Sequence, residues 1–136
     1  MSTGETINLV MCGSLSPVTY AHLRSFEDAK HVMEEAGFRV SRGILSPVSD
    51  SYKKTDLAKA GDRVAMCRLA VLDSPWLEVS TWEVDQDSFT PTLEALRHIK
   101  AEHDPSIRMM MLCGADLLQT FNIPGVWKEE DVCLLY

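Results

Sequence analysis

A mostly apolar run, Ile7-Asn8-Leu9-Val10-Met11, stops at Gly13 and Pro17, and a helical pattern follows it directly. Leu23, Phe26, Ala29 or Lys30, Met33 and Ala36 recur at helical spacing between Thr19 and Ala36, with Gly37 placed to cap the end. A second apolar run, Phe38 to Leu45, comes next, with Gly43 as its weak point. Strands separated by a whole helix pair in parallel, because a hairpin needs a tight turn. The opening of the chain therefore reads strand–helix–strand, the unit of parallel α/β sheets.

The alternation continues. A polar loop from Ser46 to Asp56 precedes a predicted helix from Gly61 to Leu72, with Asp62 near its N-terminus. Leu77-Glu78-Val79-Ser80 reads as a short strand. Thr90-Pro91 marks a helix start, with Thr90 as N-cap, Pro91 in first position and Glu94 shortly after; the helix is expected to reach about His103. Ile107 to Cys113 is a fourth apolar strand that breaks at Gly114, and a short helix is expected from Asp116 to Phe121. In such a sheet, ligands bind at the carboxyl ends of the strands. The loops at 12–22 and 113–116 each follow a predicted strand.

Composition narrows the function. Thirteen basic against twenty acidic residues give a formal charge of −7, which argues against broad nucleic-acid binding but not against a small basic pocket. No apolar run approaches a membrane span, and the start lacks the pattern of a signal peptide. Cys12, Cys67, Cys113 and Cys133 form no Cys-x-x-Cys pair and have apolar neighbours, so reduced buried thiols inside the cell are expected. No residue set has the spacing of a metal site, Asp50, Asp85 and Asp87 included.

The segment Gly13 to His22 carries the most chemistry. A glycine at a strand end lets backbone approach a phosphate. The start of the following helix offers unpaired N–H groups and the positive end of its dipole. His22 falls in that first turn. This is neither a Walker loop, since no Gly-Lys-Ser/Thr follows, nor the glycine spacing of a dinucleotide fingerprint.

The same segment, Gly13-Ser14-Leu15-Ser16-Pro17-Val18-Thr19-Tyr20-Ala21-His22, resembles the T/H-x-x-H signature of the nucleotidylyltransferase superfamily, with Thr19 and His22 in the two key places. Three further segments resemble the eukaryotic-type nicotinamide-mononucleotide adenylyltransferases. They are Ser46-Pro47-Val48-Ser49-Asp50-Ser51-Tyr52-Lys53-Lys54, then Thr81-Trp82-Glu83, then Leu112-Cys113-Gly114-Ala115-Asp116 running on to Pro124-Gly125-Val126-Trp127. They occur in order across nearly all of the chain.

The resemblance implies a Rossmann-like α/β fold, a parallel sheet with flanking helices, in a single domain over 1–136 that lacks the last strands and helices of the full family fold. It implies adenylyl transfer from ATP to nicotinamide mononucleotide or its nicotinate analogue, in NAD biosynthesis. His22 would be catalytic. Gly13, Ser14, His22, Lys54, Gly114 and Asp116 would bind ATP, with the Asp116 carboxylate on ribose hydroxyls. Ser14, Leu15, Lys53, Lys54, Phe89, Thr92, Val126 and Trp127 would bind the mononucleotide, with Phe89 and Trp127 about the nicotinamide ring. Mg²⁺ would arrive with ATP. The ligands implied are ATP, nicotinamide mononucleotide and NAD, with no nucleic acid, and a homo-oligomer is compatible. The compartment implied is the nucleus or cytoplasm.

Each role has a plainer competitor. Lys53-Lys54 in a polar loop is ordinarily a solvated pair. Trp127 and Trp82 are ordinarily packing residues. Asp116 after a glycine could be a helix N-cap. Met109-Met110-Met111 reads as core strand. Leu15 and Ser16 stand where the family usually has Phe and Asn, and Phe89 where Trp is commoner. The family's second basic motif, Ile-Ser-x-Thr/Ser-x-x-Arg, does not occur here. Its lack favours an alternative: a catalytically inactive form that binds a nucleotide or a protein partner. A third reading changes the acceptor to pantetheine phosphate; the Cys113–Asp116 segment and Trp127 speak against it.

Overall fold

The computed structural model describes residues 4–51, 57–88, 90–120 and 123, without the side chains of 116–118. The elements are β1 (Thr6–Gly13), α1 (Tyr20–Glu35), β2 (Arg39–Pro47), α2 (Ala60–Val71), β3 (Leu77–Val79), α3 (Thr92–Glu102), β4 (Arg108–Met111) and α4 (Ala115–Thr120). The strands form one sheet in the order β3-β2-β1-β4, and every neighbouring pair is parallel. The expected Rossmann-like α/β architecture is the one observed. No helix among the described residues is long and apolar enough to cross a membrane.

The period-2 pattern of β1 sorts the core into two layers. Ile7, Leu9 and Met11 pack with Phe26 of α1, Cys67 and Val71 of α2, and Trp76. Val10 and Cys12 turn the other way and pack with Ile44 and with Leu96 and Ile99 of α3. So α1 and α2 cover one face and α3 the other. Met110 joins the first layer, while Met109 and Met111 join the second. The three consecutive methionines are strand core on both faces.

Two glycines have jobs that the local conformation explains. Gly37 adopts φ +97°, a backbone open to glycine at no steric cost. Its N–H reaches the Glu34 carbonyl at 3.0 Å, and the Phe38 N–H reaches Met33 at 3.0 Å, which closes α1 in a Schellman arrangement. Gly43 lies where Phe26 and Trp76 cross β2 edge to face, with ring centroids 6.0 Å apart. A Cβ there would come within 2.5 Å of Leu77, 2.7 Å of Trp76 and 2.9 Å of Phe26. The apparent weak point of the strand is thus a site of close approach. Trp76 completes the layer with a hydrogen bond from Nε1 to Glu27 at 3.0 Å and with Lys30 Nζ 4.8 Å above its ring.

Most element boundaries differ from the sequence pattern by one or two residues, and three of the differences bear on the site. Ser46 and Pro47 belong to β2 rather than to the following loop, because they continue the ladder opposite Cys12 and Gly13. α3 begins at Thr92, one residue later than expected. Pro91 has φ −57° and ψ 144°, and its fixed φ serves equally well just before a helix. Thr90, expected as N-cap, is instead buried. α4 begins at Ala115, so Asp116 is its second residue and not its cap.

Candidate functional site

β1 is central in the sheet. The chain moves from it through α1 to β2 on one side, and only later returns to lay β4 on the other. The strand order reverses at β1, and the carboxyl ends of the strands at such a reversal are the usual ligand position in these sheets. Val10 pairs with Met111, and the Leu112 N–H bonds the Val10 carbonyl at 2.7 Å. The turn after Gly13 and the loop 112–114 therefore leave the sheet from neighbouring strands at the same end. The two loops read from sequence as ligand loops are brought together.

The turn has an unusual backbone. A Cβ on Gly13 would meet nothing within 4 Å, so the space beside this backbone is open. Leu15 adopts φ +47°, the left-handed region that costs a non-glycine residue about 1 kcal/mol. Its side chain is buried in the core cluster with Leu9 and Phe26. Burial of a leucine stabilises by about 2 kcal/mol, enough to hold that backbone. Leu15 can therefore offer a ligand its backbone but not its side chain. The next residue, Ser16, accepts the Ala58 N–H on Oγ at 2.8 Å. The departure from Asn at this position thus still ties the turn to the chain before α2.

His22 is the third residue of α1. The Thr19 backbone N–H lies 2.9 Å from His22 Nδ1, and Thr19 Oγ1 lies 3.0 Å from the same atom. A backbone N–H can only donate, so Nδ1 accepts and the ring proton sits on Nε2. His22 thus closes a capping box in the place Glu or Gln usually takes. The cap leaves Nε2–H as the donor for anything bound near the helix start.

Arg63, fully buried on α2, was not singled out by the sequence. Its Nε donates to the Ala58 carbonyl at 2.7 Å. Nη1 donates to the Ser14 carbonyl at 3.0 Å and to the Val48 carbonyl at 2.7 Å. Nη2 reaches Asp50 Oδ1 at 3.0 Å. Asp50 also accepts the Ala60 N–H at the start of α2; that bond, then the Arg63 guanidinium, holds its carboxyl below the usual range. The Asp of the Ser-Pro-Val segment thus fastens a loop to a helix.

A second polar cluster lies on the α3 face. Ser46 Oγ donates to Glu83 Oε2 at 3.0 Å, and both residues are buried. Burial pushes the Glu83 carboxyl up to about 7, although the Ser46 hydrogen bond works against the shift. Cys12 stands opposite Ser46 in the ladder, and burial followed by the Glu83 charge drives its thiol up, away from the reactive thiolate. Trp82 stacks on His98 of α3, ring centroids 4.2 Å apart, so it is the packing residue its plainer reading expected. Cys67 is buried and is a free thiol, as is the half-buried Cys12; Cys113 is also half-buried.

Of the other residues read from sequence, Thr92 is the first residue of α3, where N–H groups have no partner within the helix. Gly114 is exposed immediately before α4. Lys53, Lys54, Phe89, Val126, Trp127 and Cys133 lie outside the described residues, as does the side chain of Asp116.

A family model for cytidylyltransferase-like proteins matches residues 10–135. The chain belongs to this family. Among relatives in the family, nicotinamide/nicotinic acid mononucleotide adenylyltransferase 1 of Bos taurus is 36% identical, over 91% of this chain and 59% of its own. A nicotinamide/nicotinic acid mononucleotide adenylyltransferase of Oryza sativa is 40% identical, over 93% of this chain and 54% of its own. Nicotinic acid mononucleotide adenylyltransferase of Plasmodium falciparum, solved with APC, superposes with a TM-score of 0.65 at 19% identity, over 92% of this chain and 57% of its own. That likeness shows the shared fold. The chain spans about half the length of the curated relatives it matches.

Proposed function

We propose that this chain transfers the adenylyl group of ATP to nicotinamide mononucleotide, or to its nicotinate analogue, giving the corresponding dinucleotide and pyrophosphate. The observation that carries the reading is the open Gly13 backbone and the His22-capped start of α1 at the point where the strand order reverses. The names of the relatives in the family support the same chemistry.

A phosphate oxygen of the mononucleotide would attack the α-phosphorus of ATP as the bond to the β-phosphate breaks. No protein nucleophile is required, so the protein's part is alignment and charge stabilisation. In this proposal the Gly13 and Ser14 backbone and His22 Nε2–H hold the ATP phosphates, and Lys53 and Lys54 add positive charge. Gly114 and Asp116 hold the adenosine. Phe89 and Trp127 flank the nicotinamide ring, with backbone at Leu15, Thr92 and Val126 nearby. Among the described residues no group of three or more His, Cys, Asp or Glu could hold a metal. A Mg²⁺ entering with ATP would be held by phosphate oxygens and water, and would offset phosphate charge. The proposal places the chain inside the cell, nuclear or cytoplasmic, where its substrates are.

A second reading is nucleotide binding without turnover. One experiment separates them. Purified chain with ATP, Mg²⁺ and nicotinamide mononucleotide is followed for NAD, and its melting temperature is followed with ATP alone. NAD formation that is lost in His22→Ala supports catalysis. A melting shift without NAD supports binding only. Neither signal from a folded chain overturns both.

A further inference from the structure

The largest fully buried side chain in the described structure is a cation, Arg63. A buried guanidinium is costly unless its donors are met, and here they are met in an informative way. One carbonyl comes from the turn after β1 (Ser14), one from the residue just after β2 (Val48) and one from the approach to α2 (Ala58). The fourth acceptor, Asp50, is more than half exposed and is itself tied to the Ala60 N–H. Three segments far apart in sequence therefore share one fork of donors. Two lighter bonds brace the same junction: Ala58 N–H to Ser16 Oγ at 2.8 Å, and Val48 N–H to the Gly13 carbonyl at 2.9 Å.

The direction of these bonds matters. The Ser14 carbonyl is turned inward to Arg63, and a peptide unit has its N–H on the side opposite its carbonyl. Engaging the Ser14 carbonyl therefore orients the next peptide N–H, that of Leu15, away from the guanidinium. Leu15 is also the residue held in the left-handed region. Successive N–H groups around such a residue form a concavity suited to an anion.

We propose that Arg63 is a positioning residue for the turn 13–16. It holds the Ser14 carbonyl inward so that the turn presents N–H groups to phosphate, without touching the ligand itself. The proposal rests on the reading of this turn as a phosphate site and adds the residue that sets its shape.

The test uses the full chain, with Arg63→Met, Arg63→Lys and Asp50→Asn. Amide hydrogen exchange is followed residue by residue without ligand, and ATP binding with Mg²⁺ is followed by calorimetry. In Arg63→Met, exchange across residues 14–16 should rise at least about tenfold beyond any rise at Val10 and Met111, the scale of one lost charge-assisted hydrogen bond. Arg63→Lys keeps the charge but not the planar fork, so a smaller rise confined to the same turn is expected, and this variant carries the test if Arg63→Met does not fold. Asp50→Asn leaves the three carbonyl bonds intact, so it should loosen the start of α2 and spare the turn. ATP affinity should fall with turn exchange, most in Arg63→Met, less in Arg63→Lys and least in Asp50→Asn. Uniform exchange increases would reduce Arg63 to a general fold contact and overturn the proposal. So would an unchanged turn in both Arg63 variants. Absence of ATP binding by the unmodified chain would instead sink the reading of the turn as a phosphate site, while the exchange pattern would still decide whether Arg63 shapes it.

Discussion

Ser46 donates a hydrogen bond to Glu83 inside the protein, and burial pushes the carboxyl that receives it up to about 7. The folded carboxyl titrates near 7, against 4.5 for a free one. A raised carboxyl favours the folded state while protonated. Its contribution is complete below about pH 4.5 and is lost as pH rises toward 7. The loss is on the order of 3 kcal/mol at full effect. Glu83→Gln keeps an acceptor for Ser46 and cannot ionise. Denaturant unfolding at pH 5 and pH 8 should show the unmodified chain losing stability relative to the variant. His103 acts in the same direction: burial opposes its charge, but the Ile99 carbonyl and Glu78 outweigh that and raise its pKa. Only the difference between the two proteins isolates Glu83, and a difference constant with pH would show that Glu83 does not titrate in this window.

Gly13→Ala should leave the fold within about 0.5 kcal/mol of the unmodified chain, since the added methyl meets nothing. The same methyl would stand in the open space beside the turn, where the proposed phosphate approaches. ATP binding by calorimetry should weaken about tenfold or more while the melting temperature without ligand holds. Unchanged ATP affinity would place the phosphates elsewhere.

His22 has two separable jobs. Gln is a common third-position partner in a capping box, so His22→Gln should retain the cap, while His22→Ala should lose about 1 kcal/mol in thermal unfolding. Both remove the imidazole Nε2–H, so NAD formation should fall in both. Full activity in His22→Gln would assign His22 to capping alone.

Gly43→Ala should cost about 1–3 kcal/mol, since the new Cβ overlaps Leu77, Trp76 and Phe26 at once. The rings are packed edge to face and have little room to retreat. Chemical denaturation gives the number directly. A neutral result would mean that Trp76 can move off the sheet.

The parts legible in sequence share a physical cause. Strand and helix alternation follows from local periodicity, so β1, α1, β2 and β4 were visible as patterns, and so was the turn between β1 and α1. The role of Arg63 was not, because its acceptors come from Ser14, Val48, Asp50 and Ala58, which meet only after the sheet forms. A lone arginine on a helix ordinarily reads as a solvated charge. Glu83 is similar: its neighbour in sequence is an aromatic, but its partner Ser46 lies on another strand. Leu15 shows a third limit. A leucine gives no hint of a left-handed backbone, and here the core, not the local sequence, holds it there.

The pairing of Ile7 with Arg108 and Val10 with Met111 has a consequence for biosynthesis. β1 leaves the ribosome well before β4, so one of its two ladders is supplied only when β4 emerges. At translation rates of about 5–20 residues per second, that interval is roughly 5 to 20 s. Once β2 has followed, one edge of an apolar strand stands open beside the β1–β2 pair until β4 arrives. A nascent chain stalled before residue 108 should therefore engage chaperones strongly, and release should coincide with the arrival of the methionine strand.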